Sequence, residues 1–381
     1  MYITLQAMRK RVRSKHLFKM LIFAGSALLL LLLTFLFSLR LHDARFDGKK
    51  NTVLSVKDKR IKNTPTPQQK KKQIISPKVT PPLMQNTPKL LFGLGSEADS
   101  AVKSRLVQEA PVRMLTSWYN GSHDLPWMSG WKDTLIPQLY FQGYTLHLIV
   151  FSDLPEGELP TNYGTACGRA YPLSARFLED MKILAETFAG SGPLYVTLFT
   201  EFQTYPCQDN QWVGSENYYK ALKDQYRVAK NVFHQYAPNS NVAFSWGGWQ
   251  SRWNDPGNGG GQALFPYFSD ILSESDFSAF QAMESGTNTD DILQMTKILG
   301  KYKRPVMLAH YKPDNGSQQT YDNDVHTIFT DTYLRELTSN GLFAFSFMDE
   351  VNLSSETSYQ FVRNSVTRYS SSPILKSATQ Q

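Results

Sequence analysis

Cysteine and histidine are scarce in this chain, with two and seven among 381 residues, and neither is spaced to hold a metal. No Cys-x-x-Cys pair, His-x-His or His-Glu-x-x-His occurs. No Gly-x-Gly-x-x-Gly follows the first apolar run either, since Phe92-Gly93-Leu94-Gly95 continues as Ser-Glu-Ala-Asp. The glycines from Gly257 to Gly261 lack a P-loop lysine. These absences argue against dinucleotide and P-loop chemistry. A serine nucleophile is disfavoured for want of a Gly-x-Ser-x-Gly elbow. No metal and no cofactor is expected.

Charge is missing from Met20 to Leu39, twenty consecutive positions that are mostly Leu, Phe and Ala. That length crosses a bilayer as a helix. The basic segment 1–19 precedes it, with Arg9, Lys10, Arg11, Arg13, Lys15 and Lys19. The positive-inside rule therefore puts the N-terminus in the cytoplasm and the rest of the chain outside. The apolar stretch exceeds a usual signal-peptide core, and Phe37-Ser38-Leu39-Arg40 is not a small-residue cleavage site. A single-pass signal-anchor at 20–39 is expected.

Aromatic residues are nearly absent from 40–88, a stretch rich in Lys, Pro, Gln and Thr. It cannot bury enough apolar surface to offset ordering, and reads as a disordered stalk. Residues 1–89 hold 19 Lys and Arg against 3 Asp and Glu, whereas the remaining chain holds 21 against 30. The overall charge of +7 thus conceals an acidic folded part, and no nucleic-acid partner is expected. The stalk could touch anionic lipid or wall polymer weakly. Cys167 and Cys207 both fall in the part placed outside, where an oxidising compartment permits a disulfide. Both lie in loops after consecutive strands, within reach across one end of a barrel.

From Lys89 onward, β-rich runs alternate with helical segments. The runs are Leu90–Ser96, Val112–Tyr119, Tyr144–Ser152, Leu194–Phe202, Asn241–Trp249, Phe277–Ser285, Pro305–Tyr311 and Leu342–Asp349. Apolar positions at helical spacing mark Ala175–Phe188, Tyr218–Tyr236, Asp290–Tyr302 and Asp322–Ser339. Eight strands alternating with helices over 89–370 predict a (β/α)8 TIM barrel, followed by a flexible tail at 371–381.

Such a barrel keeps its chemistry at the C-terminal ends of its strands. Glu201 ends the fourth run, Leu-Tyr-Val-Thr-Leu-Phe-Thr-Glu, and Glu284 ends the sixth. These are the candidate catalytic pair, with Glu201 as general acid, because glycoside hydrolysis normally needs two carboxyls flanking the scissile bond. Asp153, Asp349 and Glu350 compete for the second role. Candidate substrate-binding residues are Asp153, Trp118, Tyr119, Gln203, Trp246, Trp249, His310, Tyr311 and Asp349. Aromatic faces stack on pyranose rings, and amides and carboxylates bind hydroxyls.

From Leu90 to Arg368 the chain resembles the clan-A (β/α)8 glycoside hydrolases, nearest glycoside hydrolase family 26, the mannanases and related enzymes. That clan carries its acid/base Glu at the end of the fourth strand, where this sequence has Thr200-Glu201. It carries its nucleophile Glu at the end of the seventh, after a lead-in like Lys303-Arg304-Pro305-Val306-Met307-Leu308-Ala309. Here His310 stands in that place. Imidazole forms no glycosyl ester and suits proton transfer or hydrogen bonding instead.

The resemblance implies a membrane-anchored, extracytoplasmic hydrolase acting on a polysaccharide or glycoconjugate. Loss of the seventh-strand Glu leaves open a lectin-like barrel that binds glycan without cleaving it. A membrane-bound glycosyltransferase is a second alternative. Its Asp-x-Asp spacing occurs at Asp322-Asn323-Asp324, but these residues are expected to open a helix, where acids favour the dipole.

Overall fold

A computed structural model describes residues 87–152, 155–207, 216–252, 261–314, 316–350 and 355–371. The expected anchor, all but the end of the stalk, Asp153 and all but the first residue of the expected tail lie outside the described residues. Among those described, no helix is long and apolar enough to cross a membrane.

Eight parallel strands close into a barrel. In chain order they are β1 (Leu91–Leu94), β2 (Met114–Tyr119), β3 (Thr145–Val150), β6 (Leu194–Leu198), β7 (Ser240–Gly247), β8 (Ser278–Met283), β9 (Val306–Lys312) and β10 (Leu342–Phe347). Closure pairs β1 with β10, Leu91 opposite Ala344. An antiparallel hairpin of β4 (Glu156–Thr161) and β5 (Gly164–Arg169) interrupts the alternation after β3. It is polar and largely exposed along β4, so hydropathy left no mark of it in the sequence.

Alternation along each strand sorts side chains between the barrel interior and the helical layer. The lower interior is apolar, with Leu91, Met114, Tyr195, Ala243, Ala279, Met307 and Ala344 in one buried cluster. Two residues further along β2, β6 and β10 come Thr116, Thr197 and Ser346. They join His147 in a buried chain: Thr116 Oγ1 lies 2.9 Å from Ser346 Oγ and 3.2 Å from His147 Nδ1, and His147 Nε2 lies 3.2 Å from Thr197 Oγ1. Burial draws the His147 pKa down to about 3, so its ring is neutral.

Helices start where hydroxyl caps allow. Ser174 accepts from Phe177 N at the start of Ala175–Phe188, and Ser355 accepts from Ser358 N at the start of Glu356–Tyr369. The helix expected over Asp322–Ser339 is two, Gln318–Ile328 and Asp331–Ser339, because Thr330 caps a second start. The first begins at a capping box made by Ser317 and Thr320. Asp322 and Asp324 therefore sit inside a helix rather than at its start, which corrects the expectation for them.

Candidate active site at the barrel mouth

Two left-handed residues shape the end of β6. Phe199 has φ 55° and Glu201 φ 59°, conformations that cost a non-glycine residue about 1–3 kcal/mol each. Phe199 turns outward and stacks on Phe177, ring centroids 5.2 Å apart. Glu201 meets Gln281 of β8, whose side-chain N–H donates to Glu201 Oε1. Gln281 faces inward because it lies two residues beyond Ala279, a member of the interior cluster. Burial holds the Glu201 carboxyl above the ordinary carboxylate range, while the Gln281 hydrogen bond and the charge of Arg169 oppose it.

Arg169 ends β5 and is buried, 8% exposed. Its guanidinium lies over the Tyr205 ring at 4.5 Å and the Phe151 ring at 5.1 Å, and Nη1 donates to the Ser152 carbonyl. The expected disulfide joins Cys167 of β5 to Cys207, with Cα atoms 5.5 Å apart. It ties the hairpin after the third barrel strand to the loop after the fourth.

A bulge aims His310. Between Phe280 and Gln281 the β8 register advances one residue while β9 advances from Leu308 to His310. Ala309 belongs to the interior cluster, and the extra residue turns its neighbour His310 inward too. The His310 ring lies 4.7 Å from that of Trp118, which shares its face of β2 with Met114 and Thr116. Burial, followed by the fields of His147 and Lys312, keeps His310 well below the usual imidazole range and therefore neutral.

Several buried polar atoms around this mouth lack a hydrogen-bond partner among the described residues. They are both ring nitrogens of His310, Trp118 Nε1, both amide atoms of Gln203, Gln281 Oε1 and Arg169 Nε. Trp249 and Gln203 close on Gly247 of β7, where an added Cβ would lie 2.6 Å from the indole and also meet the Gln203 amide.

The structure thus gathers Glu201, Gln203, Trp118, Trp249 and His310 around one mouth. Other candidates point elsewhere. Tyr119, Trp246 and Tyr311 alternate to the outer face and are wholly buried, which corrects their expected contact with substrate. Tyr119 donates to Asp180 at 2.8 Å and Tyr311 to Asp324 at 2.8 Å. Trp246 packs on Phe265 and Phe202, 4.5 and 4.7 Å between centroids.

Glu284 is left-handed at φ 48° and its side chain is 42% exposed, paired with Lys312. It lies three residues beyond Gln281, the residue through which β8 reaches Glu201. Glu350 caps a short helix, accepting from Arg105 N and Leu106 N at 2.8 Å each. Asp349, partly buried, acts on Tyr321 of the Gln318–Ile328 helix. Asp324 is enclosed by Tyr311, Asn288 and the Asp314 backbone N–H, and Asp322 accepts from Gln318 and Ser358. Among the described residues no group of three or more His, Cys, Asp or Glu is placed to hold a metal.

Arg169, Gln281 and His147 were not among the candidates. For Gln281 a signal existed, as an inward position on the same strand as Glu284. For Arg169 the signal was its place two residues after Cys167.

No family model matches the sequence, and no curated protein does; nearness to glycoside hydrolase family 26 has no support of that kind. Solved structures similar to this chain include several glycoside hydrolases. The GH53 catalytic domain of Ignisphaera aggregans is 14% identical, with 68% of this chain and 79% of that one covered and a TM-score of 0.43. The PgaB (BpsB) glycoside hydrolase domain of Bordetella bronchiseptica is 11% identical, with 74% and 99% covered and a TM-score of 0.43. A thermostable mutant of the xylanase Xyn10A of Cellvibrio japonicus is 12% identical, with 73% and 98% covered and a TM-score of 0.44.

Proposed function

We propose that the barrel mouth is a glycan site in which Glu201 serves as the proton donor of a glycoside hydrolase. The observation that carries this reading is the Glu201 carboxyl itself, partly buried, bonded to Gln281 and held above the ordinary carboxylate range. A carboxyl whose surroundings favour its protonated form is what a leaving glycosidic oxygen needs. Trp118 and Trp249 offer aromatic faces for sugar rings, and the amides of Gln203 and Gln281 with the neutral His310 offer partners for hydroxyls.

The second carboxyl of the usual pair would come from Asp153 or from Glu284, which then has to leave Lys312. A barrel that binds glycan without turnover is the second reading. It is favoured by His310, neutral and buried at the station where the resembled clan has its nucleophile. The run 20–39 supports placing this mouth outside the cytoplasm on a membrane anchor.

The test is hydrolysis and binding of a glycan panel by the wild type and Glu201→Gln. Turnover lost in the variant with binding retained supports the hydrolase. Equal turnover in both sinks the role of Glu201, and binding without turnover in either identifies a lectin-like barrel.

A further inference from the structure

We propose that the end of the barrel opposite its mouth is a membrane-docking face, which meets anionic lipid headgroups through Lys89, Arg113, Lys301, Lys303 and Arg304 and inserts Phe141 among them. This reading stands apart from the glycan reading of the mouth.

All six side chains sit where barrel strands begin, and all are exposed. Lys89 stands two residues before β1, Arg113 immediately before β2, and Phe141 four residues before β3. Lys301, Lys303 and Arg304 lead into β9 at Val306. Phe141 is 93% exposed, against 45% for the next large apolar side chain among the described residues. Its presentation is rigid, because the residue before it is locked. Tyr140 donates to the Phe188 carbonyl at 2.8 Å and accepts from the Asn239 amide at 3.1 Å. Its ring lies so close to Gly190 and Gly192 that an added Cβ there would stand 2.2 and 2.5 Å from it. Gly143, left-handed at φ 82°, then turns the chain into β3. Phe141 is thereby held with its ring in water, a cost that an apolar phase removes.

The charge of this face runs against that of the folded part, which is acidic in total. Carboxylates near it are neutralised in place: Asp276 by Lys230 at 3.2 Å, Glu274 by Arg227 at 2.8 Å, Glu336 by Lys297 at 2.6 Å and Glu186 by Lys132 at 3.5 Å. The five proposed cations make no ion pair among the described residues. Lys89 donates to the Arg368 carbonyl at 2.9 Å and Arg304 to the Ser273 carbonyl at 3.0 Å, neutral acceptors that leave the charge uncompensated. A groove of about 800 Å³ opens among Lys297, Lys301, Lys303, Arg304, Ser339 and Asn340. It has room for a phosphate group and is lined with donors for it. Clustered cations draw an anionic surface that comes within a Debye length. An exposed aromatic set among them fits a bilayer interface better than a soluble polyanion, because only the bilayer offers it an apolar phase. The chain also enters the barrel at this end, at Lys89 and Leu90. A bilayer holding the run 20–39 would thus be tethered to this face rather than to the mouth.

The test uses the full chain carrying an environment-sensitive fluorophore on Gln142→Cys, beside Phe141, or on Gly286→Cys, just beyond β8 at the mouth end. The two native cysteines are joined to each other and take no label. Each protein is placed in nanodiscs of phosphatidylcholine alone or with phosphatidylglycerol, and quenching by a nitroxide-headgroup lipid is read. Quenching of the label at 142 is expected to rise about twofold or more with phosphatidylglycerol and to fall back at high salt, with the label at 286 unchanged. The triple variant K301Q/K303Q/R304Q should abolish the rise and F141N should reduce it. K301Q/K303Q should remove part of it, a reading that stays open if loss of Arg304 weakens the fold. Equal quenching in the two discs, or an equal response at 286, overturns the proposal. A rise unaffected by F141N overturns the insertion of Phe141. An emission change with soluble polyphosphate and none with phosphatidylglycerol assigns the face to a polymer and overturns the lipid reading. If residues 20–39 do not insert, the same chains mixed with vesicles of the two compositions are read the same way, so failure of the anchor and failure of this face are separable. No glycan enters the experiment, which keeps it independent of the mouth.

Discussion

Gln281 and Glu201 meet across the barrel, the amide N–H of one donating to the carboxyl oxygen of the other. This bond joins the sixth barrel strand to the end of the fourth and favours the ionised form of the acid. Gln281→Leu removes the donor and leaves Glu201 buried with less to stabilise its charge. The basic limb of any pH–rate profile, where the proton donor ionises, or the midpoint of the Glu201 titration, is expected to move to higher pH. A profile that does not move would show the contact to be incidental.

Glu201→Gln is expected to stabilise the protein at pH 7. Burial raises the folded-state pKa of Glu201 above its unfolded value, so the native state binds more protons than the unfolded one between the two. Relative to a residue that does not titrate, stability is therefore fully present below the unfolded pKa and lost as pH rises through the folded one. Glutamine escapes that loss. The gain is expected to be of the order of 1 kcal/mol, or about 2–4 °C in Tm. It should vanish below about pH 4, where Glu201 is protonated in the folded and the unfolded protein alike. Thermal melts of the two proteins from about pH 4 to pH 8 check both the sign and the window.

Gly247→Ala should weaken glycan binding without unfolding the barrel. The methyl group meets the tip of the Gln203 side chain and the Trp249 ring at 2.6 Å, both able to swing away. Its backbone is not in the left-handed region, so alanine itself is unstrained. The expected outcome is a Tm within about 1–2 °C of wild type, as for a change that yields less than about 1 kcal/mol. Affinity for a bound oligosaccharide should fall about tenfold or more, for the loss of one aromatic platform. Calorimetric titration against Trp249→Ala would show whether the two substitutions act on the same surface.

The eight strands were legible because parallel barrel strands read as short, dense apolar runs, and each lies within about two residues of its expected start. Alternation alone would have separated Trp118, which faces in, from Trp246, which faces out. The His310 orientation was not legible. It depends on one extra residue in β9, and a bulge leaves no mark in hydropathy. The hairpin bearing Arg169 was hidden for the opposite reason, since Glu156-Gly-Glu-Leu-Pro-Thr161 is as polar as a loop. Glu284 reads as the second carboxyl after Glu201 because both end a strand in sequence. In space Glu284, left-handed like Glu201, is paired with Lys312 and its side chain is 42% exposed.

His310→Glu tests what kind of place the seventh strand provides. It introduces a carboxyl in a position wholly buried beside Trp118. A carboxyl so placed is raised above its unfolded pKa by desolvation, so its contribution to stability is present at low pH and lost as pH rises through the folded value. The variant should approach wild-type stability near pH 4 and fall below it toward pH 7, by the few kcal/mol typical of an unpaired buried charge. If the new carboxyl lies close to Glu201, the two titrate as a coupled pair, and the Glu201 midpoint also moves up. A stability profile parallel to wild type would mean that the introduced carboxyl reaches solvent or a cation, and that the bulge does not commit this position to the mouth. Turnover gained by H310E on a glycan that the wild type only binds would identify the wild type as a binding barrel that lacks only a carboxyl at this position.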